Sequence, residues 1–190
     1  MKYSVYLLLL LFSACSSVTT PDSHYYRLSA SDKVKGKSSI DKAYRVSAFK
    51  TEGMLNTNNL LYIEKDRPNE LMQFHYHQWH APLSSVLTDN FILYFNATTN
   101  STIFEHDYSS FNGYLIIPVI KSMEIQYSDS SVDLSVNINF KVKQGSKLIL
   151  SKTYHAKKTY QTKDIYKLVS NYNEVLQQIY KSFVADISLL

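Results

Sequence analysis

Cysteine occurs once in this sequence, and glycine and proline four times each. A single thiol excludes a disulfide framework and a multi-thiolate metal site. So little Gly and Pro excludes a repetitive linker or a loop-dominated scaffold. No segment recurs at a fixed period, which excludes solenoids and propellers. No apolar run approaches the roughly 20 residues a membrane-spanning helix needs. Charge of one sign is scarce as well, with a formal net charge of +4. Lys33, Lys35 and Lys37 form one loose cluster and Lys157 with Lys158 another. Neither is a basic block of the kind that holds a phosphate backbone, so no nucleic-acid partner is expected. Catalytic motifs are missing too: no Gly-x-Ser-x-Gly elbow, no His-Glu-x-x-His, no phosphate loop and no Gly-x-Gly-x-x-Gly. The expectation is a binding or structural domain, with neither enzyme activity nor a cofactor.

What the chain does have is apolar bulk, at 45% hydrophobic residues, and unusual aromatic content in 16 Tyr and 9 Phe. At 190 residues it fits one domain with a core large enough to fold unaided. Aromatic side chains at this density fill a core or an interface.

The N-terminus reads MKYSVYLLLLLFSAC. Lys2 supplies a positive start, Val5 to Phe12 a short apolar stretch, and Ser13 and Ala14 the small residues before Cys15. That order is expected of a secretory signal peptide over residues 1–14. Its small pair abuts the only cysteine, in the manner of a bacterial lipobox, with Phe12 where Leu is usual. In lipoproteins of this type the thiol takes a diacylglycerol and the new N-terminus a further acyl chain such as palmitate. Residues 15–23 would then be the lipidated terminus and a small, polar tether. Ser16 in place of Asp implies export to the inner leaflet of the outer membrane, with the domain facing the periplasm. The alternative is a plain secreted protein with a chance cysteine.

Residues 24–190 are expected to form the single folded domain. Tyr25–Ser29, Tyr44–Lys50, Leu60–Glu64 and Leu71–His77 read as strands, with a loop over Ala30–Lys42. In the last of these strands alternation puts Leu71, Gln73, His75 and His77 on one face, and Met72, Phe74 and Tyr76 on the other. Pro82 suits a first helical turn, and Leu83, Val86, Leu87, Phe91 and Tyr94 follow at helical spacing. Val132, Leu134, Val136, Ile138, Phe140 and Val142 alternate strictly with polar residues, a strand with one wet face. Gln144 and Gly145 turn it into a partner over Lys147–Tyr160. Gly113–Tyr127 precedes the pair, and Pro118 suggests an edge or a bulge. Asp164–Leu190 reads as a helix capped by Thr162, striped by Ile165, Leu168, Val169, Tyr172, Leu176, Ile179 and Phe183. The order is four strands, helix, four strands, helix. It predicts an α+β fold, a mostly antiparallel or mixed β-sheet with two principal helices packed on one face.

His75, His77 and His80 are the one cluster that suggests a metal, since residues 75 and 77 share a strand face. No carboxylate is close in sequence, and polar residues on a half-exposed strand explain the cluster equally, so no metal is expected.

The segment from Asn58 to Phe95, NNLLYIEKDRPNELMQFHYHQWHAPLSSVLTDNFILYF, resembles the core of the ABC-type transport auxiliary lipoprotein family, of PqiC-like proteins. Tyr25, Tyr26 and Leu28 match its opening strand, and Leu61 and Tyr62 its middle. Tyr76, Trp79, Ala81 and Pro82 match its turn into a helix, with His80 inserted between Trp and Ala. Trp79 can cover the end of the core where the strand reverses, and aromatic burial favours this structural role over ligand binding. The resemblance implies an outer-membrane subunit that works with an MCE-domain protein and an inner-membrane transporter. Such a subunit docks or stabilises a periplasmic conduit for lipids, supports membrane integrity, and in some members assembles as a homo-oligomeric ring. Two other readings stand beside it: another envelope-assembly lipoprotein, serving lipopolysaccharide export or barrel assembly, and a lipid-anchored hydrolase.

Overall fold

A computed structural model describes residues 21–29, 38, 40, 42–105 and 111–190. Cys15, the signal segment, most of the tether and most of the Ala30–Lys42 loop lie outside them. The strands are β1 (His24–Tyr26), β2 (Tyr44–Val46), β3 (Asn59–Ile63), β4 (Met72–Trp79), β5 (Phe104–Glu105), β6 (Tyr114–Tyr127), β7 (Val132–Gln144) and β8 (Lys147–Tyr160). Helix α1 (Leu83–Thr98) falls between β4 and β5, and α2 (Ile165–Ile187) closes the chain. The architecture is α+β, a mixed sheet of eight strands with two principal helices.

Three long strands make an antiparallel meander, β6–β7–β8. Their alternation sorts the residues: Val132 to Val142 bury every second side chain, and Lys141, Asn139 and Asn137 face away. The Gly145 turn between β7 and β8 needs a positive φ of 57°, which glycine adopts without steric cost. The other edge of β6 is shared. Its start pairs parallel with β2, which carries β5 beyond it, and its end pairs parallel with β3, which carries β4 and then β1.

The helices cover the apolar face. Phe140 of β7 stacks on Phe183 of α2 at 4.1 Å and 15°, and Phe91 of α1 lies 5.4 Å from Phe140 and 5.0 Å from Tyr180. All of these rings are buried. The uncovered face of the meander is a polar lattice. Asn137 donates to Ser122 at 2.7 Å and contacts His155 at 2.9 Å, while Lys157 reaches Asp133 at 2.8 Å. Hydrogen bonds between side chains satisfy this face, over which the described residues place no second layer.

Four expectations need correction. Helix α2 is capped by Asp164, whose carboxylate accepts from Tyr166 N at 2.9 Å; Thr162 instead accepts from Asp164 N at 3.1 Å. A carboxylate two residues later wins because it also meets the positive end of the helix dipole. Pro82 is the residue before the first turn of α1, with φ −50° and ψ 136°. Pro118 is not on an edge strand, since β6 is central. Its carbonyl accepts from Lys50 N at 3.0 Å, so its absent N–H falls between the end of β2 and the isolated Lys50–Val119 bridge. The irregularity comes further on, between Ile120 and Ser122. Lastly, β4 does not alternate strictly: its register against β3 jumps from Gln73–Leu61 to Gln78–Asn59. Phe74 and His77, assigned to opposite faces, meet edge-on at 5.5 Å.

Candidate functional site

Strand directions give the domain two unlike ends. β6 runs from the β7–β8 hairpin (Tyr114 opposite Gln144) to Tyr127 opposite Val132. β3 runs with it, so β4 starts at the far end, and β1, parallel to β4 and opposite its last three residues, runs away from that end. That far end holds the start of α2 and the β3–β4 and β6–β7 connections, and β1 points away from it. This is termed the N-strand end, and the other the hairpin end.

Rings cross the sheet at the N-strand end. His24 stacks on His77 at 5.0 Å and 12°, the Tyr26 hydroxyl bonds His77 Nδ1 at 2.7 Å, and Phe74 follows. Tyr62 then lies 4.4 Å from Phe74 and 6.1 Å from Tyr127. Tyr62, Phe74 and Tyr127 floor an open depression of about 440 Å³, rimmed by Glu64, Lys65, Asp66 and Lys163. Lys65 pairs with the Asp129 carboxylate, and Lys163 Nζ donates to the Asp129 carbonyl at 3.4 Å. Burial raises the Tyr127 pKa above the usual phenol value, and the neighbouring Tyr62 and Glu64 push it the same way.

Burial, and then His24, lowers the pKa of His77. Burial raises that of Tyr26, and so does Asp164. A depressed histidine contributes stability that is full above its unfolded value of about 6.5 and is lost as pH falls through the folded value. Charging His77 against His24 should thus loosen β1 from β4 in mild acid. Hydrogen exchange at the His80 amide, which donates to Tyr26 O at 2.8 Å, is the readout. Its protection should drop between pH 7 and 5, with a smaller drop in His77→Phe; an equal drop in both would remove His77 as the cause.

The four motif residues do not form one site. Tyr62 lines the depression. Tyr76 is exposed, at 41%. Trp79 is buried, 6.1 Å from Tyr172 of α2, and covers the core where β4 ends. Pro82 sets the entry to α1. The histidines disperse as well: His75 is exposed, His77 joins the ring strip, and His80 Nδ1 lies 3.1 Å from the Tyr26 carbonyl. Among the described residues no group of three His, Cys, Asp or Glu is placed to hold a metal. Phe74, Glu64 and Tyr127 were not singled out by the sequence, because local periodicity does not disclose that β3 lies between β4 and β6.

The hairpin end is different. Leu148 is half exposed, Phe104 and Leu189 more so, and Leu190 stands beside them in sequence. α2 ends there, with Asp186 bonded to Lys152 at 2.7 Å and to Tyr154 at 2.6 Å. Single exposed apolar residues are ordinary, but several gathered at one end suit a contact surface.

With this arrangement in view, solved structures supply a likeness. The fold resembles that of a DUF330 protein. Protein XCC0632 from Xanthomonas campestris, described under the DUF330 family model, superposes with a TM-score of 0.70 at 15% identity, over 87% of this chain and 95% of its own. A second structure, of an uncharacterized protein, gives 0.71 at 14% identity over 88% and 99%. The hypothetical protein CT253 from Chlamydia trachomatis gives 0.50 at 9% over 77% and 96%. The sequence matches no family model and no curated protein. At these identities the likeness to DUF330 structures is one of fold alone.

Proposed function

We propose that the chain is an outer-membrane lipoprotein subunit of an MCE/ABC-type intermembrane lipid transport system, docking or stabilising the periplasmic conduit. The observation that carries this reading is the polarity of the domain. β1, the first described strand after Cys15, runs away from the N-strand end, and exposed Leu148, Phe104, Leu189 and Leu190 lie toward the opposite end, with exposed Tyr25 and Tyr166 toward the first. A domain tethered at one end presents the other to the periplasm, where a conduit protein would meet it. The lipobox-like Ser13-Ala14-Cys15 and the resemblance across residues 58–95 supply the class of partner. A role without chemistry accords with the absence of a catalytic motif in the sequence.

Affinity capture of the detergent-solubilised, lipidated protein, with mass spectrometry of what accompanies it, tests the proposal. An MCE-domain protein should be recovered, and Leu148→Asp should reduce that recovery at least about tenfold, as burying an unpaired charge at an interface core does. Recovery of only barrel-assembly or lipopolysaccharide-export components would replace the transport reading with an envelope-assembly one.

A further inference from the structure

The depression at the N-strand end holds carboxylates that no described lysine or arginine pairs with. Tyr62, Phe74 and Tyr127 line it together with two lysines and two carboxylates. Asp129 engages both lysines, Lys65 through its carboxylate and Lys163 through its carbonyl. Among the described residues neither Glu64 nor Asp66 has an ion-pair partner. Glu64 lies close enough to Tyr127 to help hold that phenol protonated. Ring faces are electronegative, so three rings beside an unpaired carboxylate attract a cation. They do not coordinate a hydrated metal ion, which needs several oxygen or nitrogen ligands. A primary organic ammonium group can lie against the rings and donate N–H bonds to the carboxylate.

We infer that this depression binds the ammonium group of an ethanolamine-type phospholipid headgroup. Position selects a lipid as the source, and to that extent the inference rests on the lipid-anchored reading above. β1 begins beside the depression, His24 stacking on His77 and His77 meeting Phe74 edge-on, and residues 16–23, which join Cys15 to it, can span at most about 26–29 Å. A domain held that close to a bilayer turns this end toward headgroups. The phosphate next to a bound ammonium would face Lys163, whose Nζ reaches only the Asp129 carbonyl among the described residues. The site thus matches a zwitterion, with rings and Glu64 for the amine and Lys163 for the phosphate.

The full mature chain, in maltoside detergent and with ¹³C-labelled tyrosine rings, can be titrated with ethanolamine hydrochloride against sodium chloride of equal strength. Saturable shifts are expected at Tyr62 and Tyr127 and none at Tyr76, which lies outside the depression. Glu64→Gln and Phe74→Leu should each weaken binding at least about threefold, the scale of one lost cation–ring or carboxylate contact. O-phosphoethanolamine should bind more tightly than ethanolamine, and Lys163→Ala should remove the difference. No saturable shift, or shifts indifferent to both substitutions, would overturn the inference. Tighter binding of N-acetyl-lysinamide than of O-phosphoethanolamine would overturn the lipid source and assign the depression to a protein partner. Capture of the conduit protein depends on the opposite end, so the two proposals fail separately.

Discussion

Cys15→Ala should convert the protein from a membrane-fractionating species into an unprocessed precursor or a soluble periplasmic one. The expectation follows from the energetics of acyl chains. Each buried methylene contributes about 0.8 kcal/mol, so one chain binds reversibly while two or three hold effectively without release. Among the described residues no helix is long and apolar enough to cross a membrane. The sole cysteine is also the only thiol that could take a diacylglycerol. Metabolic labelling with a radioactive or clickable fatty acid, followed by membrane fractionation, reads both consequences together. Label incorporation should vanish, and the protein should leave the outer-membrane fraction. If the variant still sediments with the outer membrane, anchoring through this residue is wrong, and the account of which end faces the bilayer goes with it.

The second large effect concerns stability. Phe183→Ala should lower the unfolding free energy by about 3–5 kcal/mol, the usual range for emptying a buried phenylalanine site. Phe183 sits at the hub of the ring cluster. It stacks on Phe140 at 4.1 Å and meets Tyr154 at 5.9 Å and Phe91 at 5.9 Å. It is fully buried, and so are Phe91 and Phe140, which come from different elements. A cavity there cannot close by the movement of one side chain, because three elements would have to shift together. In a domain of this size the loss corresponds to a fall in Tm of roughly 10 °C. Leu189→Ala, at a residue 86% exposed near the same helix end, should change stability by less than about 0.5 kcal/mol. Equal effects of the two substitutions would mean that the sheet–helix core has been placed wrongly.

The parts of this fold that the sequence disclosed are those set by local periodicity. Val132 to Val142 alternate because one face of β7 meets α2 and the other meets solvent. The stripe from Leu168 to Phe183 is helical because α2 buries one side only. Pro118 pointed to an edge because a proline cannot donate within a ladder. That inference failed because β6 has two short neighbours on one side, with a gap between them that accommodates the missing donor. The jump in register within β4 was also invisible, since alternation along a strand does not disclose where its partner skips residues. Phe74 turns toward His77 after the irregularity in β4, and Tyr62 meets Tyr127 through a parallel contact between residues far apart in the chain. Tyr62 alone among the residues lining the depression could be marked in advance, and then through a resemblance rather than through chemistry.

Site-specific photo-crosslinking in intact cells tests most directly the central claim, that one end of the domain faces the bilayer and the other a conduit protein. A photoreactive residue at position 148 should yield an adduct with an MCE-domain protein, and one at position 65 an adduct with phospholipid. The reverse pattern, or lipid adducts from both positions, would contradict the account.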